Sequence, residues 1–79
     1  LVFKKAPFRD IAQKLERRYN VRIRFASEHI AGSVLTARFD ANVPFKNVLG
    51  MLCDIYGFSY RQEPGRNEYL VYKKGQPSK

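Results

Sequence analysis

The chain has 79 residues with 44% hydrophobic and 28% charged side chains, and fifteen Lys+Arg against seven Asp+Glu give a net charge of +8. These figures describe one globular domain and exclude a disordered or collagen-like chain. The single cysteine, Cys53, excludes an internal disulfide framework and a cysteine-based zinc cluster. Apolar runs such as Leu1 to Phe3 and Tyr69 to Val71 fall far short of the ~20 residues of a membrane span.

The chain opens on an apolar stretch, Leu1-Val2-Phe3, that reads as a strand. A helix over 7–19 follows. Pro7 suits its first turn, and Asn20 suits the left-handed position just past its end. Phe8, Ile11, Ala12, Leu15 and Tyr19 form its apolar stripe, opposite a face of Arg9, Lys14, Arg17 and Arg18. Val21, Ile23 and Phe25 then alternate with Arg22 and Arg24, a strand pattern. Residues 27–33 read as a loop, and Leu35, Ala37 and Phe39 alternate with Thr36 and Arg38 in a further strand. A second helix spans 44–56, between Pro44 and Gly57. Its stripe of Phe45, Val48, Leu49, Leu52, Ile55 and Tyr56 is widened by Met51 and Cys53, which predicts a helix enclosed between layers. Phe58 to Arg61 and Glu68 to Lys73 flank Glu63-Pro64-Gly65-Arg66-Asn67 as a hairpin, and a polar tail over 75–79 closes the chain.

Shifting the sequence by 37 residues lays Pro7-Phe8-Arg9-Asp10-Ile11 on Pro44-Phe45-Lys46-Asn47-Val48, and Leu15, Tyr19 and Asn20 on Leu52, Tyr56 and Gly57. Because start and stop signals repeat along with the stripe, the domain over 1–74 reads as duplicated βαβ units, β-α-β-β-α-β-β, of the α+β class. Burying the first helix gains roughly 1.5–3 kcal/mol for each of four or five side chains. Ordering it costs ~1–2 kcal/mol per residue. Neither half stands alone, and one cooperative core is expected.

The side chains offer little chemistry. His29 has no second histidine for a metal or a proton relay and reads as a solvated loop residue. Cys53, beside Asp54, reads as a small buried hydrophobe. The carboxylates are scattered among basic residues, and phosphate-loop and HExxH patterns are missing. No catalytic residue, cofactor or metal ligand is assigned; the expectation is a binding domain. Arg22, Arg24 and Arg38 would share an outward face if the second and third strands were neighbours, facing solvent, an acidic protein, anionic lipid or nucleic acid. The element order is also that of an RNA-recognition motif, and Leu1-Val2-Phe3-Lys4 resembles its first strand. The third strand, Val34 to Phe39, has one aromatic, Phe39, which alternation turns inward and away from any base, so nucleic acid is the weaker reading.

Three stretches carry a family resemblance: Leu1-Val2-Phe3-Lys4-Lys5-Ala6-Pro7-Phe8, residues 15–25 from Leu15 to Phe25, and residues 39–49 from Phe39 to Leu49. Together with Tyr56-Gly57-Phe58-Ser59-Tyr60, they resemble the C-terminal domain of FecR-family anti-sigma factors of Bacteroidetes-type bacteria. The secretin/TonB N-terminal (STN) signalling domain of a TonB-dependent transporter is the nearest alternative. The resemblance implies two helices packed between two small sheets, STN-like, in the periplasmic part of a single-span inner-membrane regulator. It further implies two partners: the signalling domain of a TonB-dependent outer-membrane transporter, and an extracytoplasmic-function sigma factor held by an N-terminal part outside this chain. Arg22, Arg24 and Arg38 are then candidate contacts to an acidic partner. The last strand, Tyr69 to Tyr72, is a candidate docking edge through Tyr69 and Val71.

Overall fold

Two prolines and two left-handed residues frame the helices of the computed structural model, which describes residues 1–40, 42–64 and 67–75. Helices α1 (Phe8–Tyr19) and α3 (Phe45–Tyr56) lie 37 residues apart in sequence, end for end. Pro7 and Pro44 are extended residues just outside the helices, at φ −60° and −61°, so each helix begins one residue later than the sequence suggests. Asn20 (φ 54°) and Gly57 (φ 79°) take the left-handed positions expected of them. Asp10 sits in the first turn of α1 and Arg17 and Arg18 in the last, where each charge complements the helix dipole.

The strands are β1 (Val2–Pro7), β2 (Arg22–Phe25), β3 (Val34–Arg38), β4 (Phe58–Gln62) and β5 (Glu68–Lys73). They form two sheets, an antiparallel β1–β3 pair and a three-stranded sheet in the order β2-β5-β4. The α+β class and the strand–helix order agree with the sequence reading. Four details differ. Residues 27–33 hold a short helix, α2 (Glu28–Ala31), capped by Ser27, whose hydroxyl accepts from the Ile30 N–H at 3.3 Å. Ile30 and Ala31 on it are buried. Second, β2 and β3 belong to different sheets, so Arg38 does not share a face with Arg22 and Arg24. Third, β5 runs through the middle of its sheet, parallel to β2 and antiparallel to β4, and is no edge. Fourth, Met51 and Ile55 are exposed, and α3 buries only Phe45, Val48, Leu49, Leu52 and Cys53. The hairpin joins β4 to β5 as expected; its Gly65 and Arg66 lie outside the described residues, as do 76–79 of the tail.

One core unites the two halves. Phe8 opens α1 and meets Phe25 edge-on at 5.0 Å and Phe58 at 5.8 Å, thereby joining β2 and β4. Its repeat mate Phe45 packs between Tyr19 at 5.4 Å and Tyr69 at 4.8 Å. The last residue of each helix is a tyrosine that reaches out of its own helix. The Tyr19 hydroxyl donates to the Val43 carbonyl at 2.7 Å. The Tyr56 hydroxyl accepts from the Thr36 N–H at 3.0 Å and donates to the Thr36 carbonyl at 2.9 Å. Gly50 lies mid-helix, and a Cβ there would meet the Tyr60 ring at 3.9 Å, an ordinary contact.

Two outcomes follow for stability. A chain of this length has about 4–12 kcal/mol in hand. Phe8→Ala, at 0% exposure, should remove about 3–5 kcal/mol of it, and Tyr19→Phe or Tyr56→Phe about 1 kcal/mol each. Gly50→Ala should stabilise by up to about 1 kcal/mol, since helix propensity improves and the space is available. Urea unfolding of the four variants, read by far-UV circular dichroism, checks both.

Candidate functional site

The solvent face of the three-stranded sheet is the most organised charged surface of the domain. Strand alternation turns Ile23, Phe25, Tyr69, Val71, Phe58 and Tyr60 toward the core, where Tyr69 and Val71 are buried. The opposite face carries Arg22 and Arg24 from β2, Glu68, Leu70 and Tyr72 from β5, and Ser59 and Arg61 from β4. Register places Arg24 and Arg61 directly beside Leu70, one on each side. Leu70 faces away from the core and is nonetheless only 8% exposed. The two arginines and Glu63 line the hollow around it.

Each arginine is steadied by a carboxylate. Arg24 Nη1 lies 3.3 Å from Glu68 Oε2, and Arg61 Nε lies 3.1 Å from Glu63 Oε1. The second contact is electrostatic only, because Glu63 Oε1 has no hydrogen-bond partner. The Arg24 side chain remains 69% exposed and that of Arg61 42%, so both keep donors turned to solvent. Ion pairs this exposed contribute little to folding; they hold the guanidinium groups in place.

Of the residues singled out from sequence, Arg22 and Arg24 sit together on this face. Arg38 lies on the separate β1–β3 sheet, opposite Val2. Tyr69 and Val71 are core residues of a strand paired on both sides, so neither their side chains nor their main chain is open to a docking strand. Arg61 was missed, although the Phe58/Tyr60 alternation already turns it outward with Ser59. The exposed face of the β1–β3 sheet carries Val2, Lys4, Thr36 and Arg38 and no aromatic, so it offers no stacking platform for bases.

The remaining chemistry is sparse. Among the described residues, no group of three His, Cys, Asp or Glu side chains sits together as metal ligands, and no helix is long and apolar enough to cross a membrane. A cleft of about 650 Å³ at one end is lined by His29, Ile30, Leu35, Tyr56, Phe58 and Lys73 among others. His29 is exposed at its rim. Burial, with a smaller contribution from Asp54, pushes the Cys53 thiol from 9.0 up to about 12. Since the unfolded thiol ionises near 9 and the folded one does not, this group should cost stability as pH rises from about 9 to 12. At pH 8 the native thiol should be inert to a disulfide reagent such as DTNB and react fully in urea; rapid native labelling would contradict its burial.

The class is a mixed α+β domain of two helix–strand repeats on two small sheets. The sequence model of the family described as "FecR, C-terminal" matches residues 1–70, and this chain belongs to that family. Two crystal structures of candidate anti-sigma factors from Parabacteroides distasonis ATCC 8503 share its fold. One is 27% identical with a TM-score of 0.80, and the other 25% identical with a TM-score of 0.81. Each match covers 95% of this chain and 34% of the longer one, so the chain spans about a third of the solved relatives. No curated protein matches it.

Proposed function

We propose that this domain is the periplasmic signal-receiving module of a membrane-anchored anti-sigma factor, docking the N-terminal signalling domain of a TonB-dependent outer-membrane transporter. Ligand arrival at the transporter changes that docking, and docking alters the regulator's hold on an extracytoplasmic-function sigma factor bound by another part of the protein. The observation that supports the reading is an arginine face, Arg24 and Arg61 held beside Leu70 with Arg22 next to them on β2, on a domain of the FecR C-terminal family. Exposed cations held by neighbouring carboxylates suit recognition of an acidic protein surface, where they set partner choice and association rate. A net charge of +8 adds long-range attraction toward such a partner.

Arg22→Gln combined with Arg24→Gln should weaken docking about tenfold or more and leave the melting temperature nearly unchanged. Glutamine is the better substitution, because a glutamate at either position would face Glu68. Arg38→Gln, on the other sheet, should bind as the parent does. The check is calorimetry in ~150 mM salt with the signalling domain of the transporter encoded beside this gene. Saturable one-to-one binding is expected. Failure to bind, together with salt-sensitive retention on single-stranded RNA, would overturn the proposal in favour of nucleic acid.

A further inference from the structure

The two sheets have four edge strands, and three of them carry a feature that blunts them. On β2, the main chain of Arg22 and Ala26 bonds toward β5, which turns Ile23 outward; its N–H is taken by Glu16 Oε2 at 2.8 Å. On β3, the Tyr56 hydroxyl occupies both the N–H and the carbonyl of Thr36. On β1, a bulge between Phe3 and Ala6 breaks the register, Lys5 stands at φ 47°, and Lys4, Lys5 and Pro7 mark the strand. Bulges, edge lysines and prolines are the common devices that blunt a sheet edge.

None of these devices is present on β4. Its register with β5 is unbroken from Phe58 to Gln62, and the strand contains neither lysine nor proline. The bonds from Lys74 N–H to the Gly57 carbonyl and from Glu63 N–H to the Glu68 carbonyl fix which residues face β5. By antiparallel alternation these are Gly57, Ser59, Arg61 and Glu63, so the main chain of Phe58 and Tyr60 points away from the sheet. Among the described residues, no hydrogen bond reaches the outward main-chain groups of Phe58 or Tyr60.

We infer that β4 is the docking edge: an extended segment of the transporter's signalling domain adds to it as a fourth strand, with an Asp or Glu placed beside Arg61. This rests on the proposed function and specifies how that docking occurs. Main-chain bonds to Phe58 and Tyr60 supply affinity for any extended segment. Selectivity comes from Arg61, whose side chain shares the outer face with the incoming residue opposite it. Glu63 engages its Nε, and the outer guanidinium donors remain for the partner. A second copy of this chain is the poorer occupant, because two domains of charge +8 would have to meet.

The test is amide hydrogen exchange by NMR on the 79-residue chain, alone and saturated with the transporter's signalling domain, with calorimetry of Arg61→Gln alongside. Expected are slowed exchange at Phe58 and Tyr60, unchanged exchange at Ile23 and Thr36, and about tenfold weaker binding by Arg61→Gln. Binding with the new protection confined to another edge, or with Phe58 and Tyr60 unprotected, overturns the β4 assignment and leaves the signal-receiving function standing. Slowed exchange at Phe58 and Tyr60 on concentrating the chain alone would make the occupant a second copy and overturn the partner assigned here. Absence of any binding overturns both readings together.

Discussion

Neither helix of this domain can be buried by its own half, and every larger feature depends on that constraint. Phe8 opens α1 but finds Phe58 in the second repeat, and Phe45 opens α3 but finds Tyr19 in the first and Tyr69 beyond it. The Tyr19 hydroxyl repeats the exchange by bonding Val43 ahead of α3, while Tyr56 ties α3 to β3 of its own unit at Thr36. A short helix has no independent stability in water. Crossing the contacts converts two marginal units into one that must form together, with Phe8, Ile11, Leu15, Val48, Leu49 and Leu52 all fully enclosed.

The same economy shapes the surface. Tyr56 ties α3 to β3 and, in doing so, fills the edge of β3 at Thr36. Glu16 belongs to the polar side of α1, yet its carboxylate caps β2. Side chains that hold the core in place also remove two sites at which another strand would join. Among the described residues, the unblunted edge of β4 lies beside the arginine-bearing face of the β2-β5-β4 sheet. Charge and core packing are thereby divided between opposite faces of the same strands. Tyr69 and Val71 serve the interior, and Leu70 between them serves the exterior.

Much of this was legible in the sequence, and the limits have physical causes. Helix ends were readable because proline and left-handed Asn or Gly are local signals, and because Phe8 and Phe45 repeat at the same offset as Tyr19 and Tyr56. Sheet membership was not. Alternation tells which face a strand residue occupies and says nothing about its neighbour, so Arg38 was placed with Arg22 and Arg24 although β3 pairs elsewhere. One overlooked signal did exist. Tyr69-Leu70-Val71 is apolar on both faces, the mark of a strand covered on both sides rather than an edge. The exposure of Met51 and Ile55 had no such signal, since an apolar stripe does not reveal how wide the surface beneath it is. The α2 helix, four residues long, is too short for periodicity to register, and only Ser27 ahead of Ile30 marked it.

The unblunted edge of β4 also bears on misassembly. Edge-to-edge fibre growth requires two templates per copy, one to join the existing end and one to present to the next arrival. Among the described residues, β1, β2 and β3 each carry a blunting feature, so two copies that met through β4 would occupy the least protected edge of each. Such pairing favours a dimer over a fibre. One unblunted edge is thus guarded against polymerisation by the blunting of the others, without any change to β4 itself.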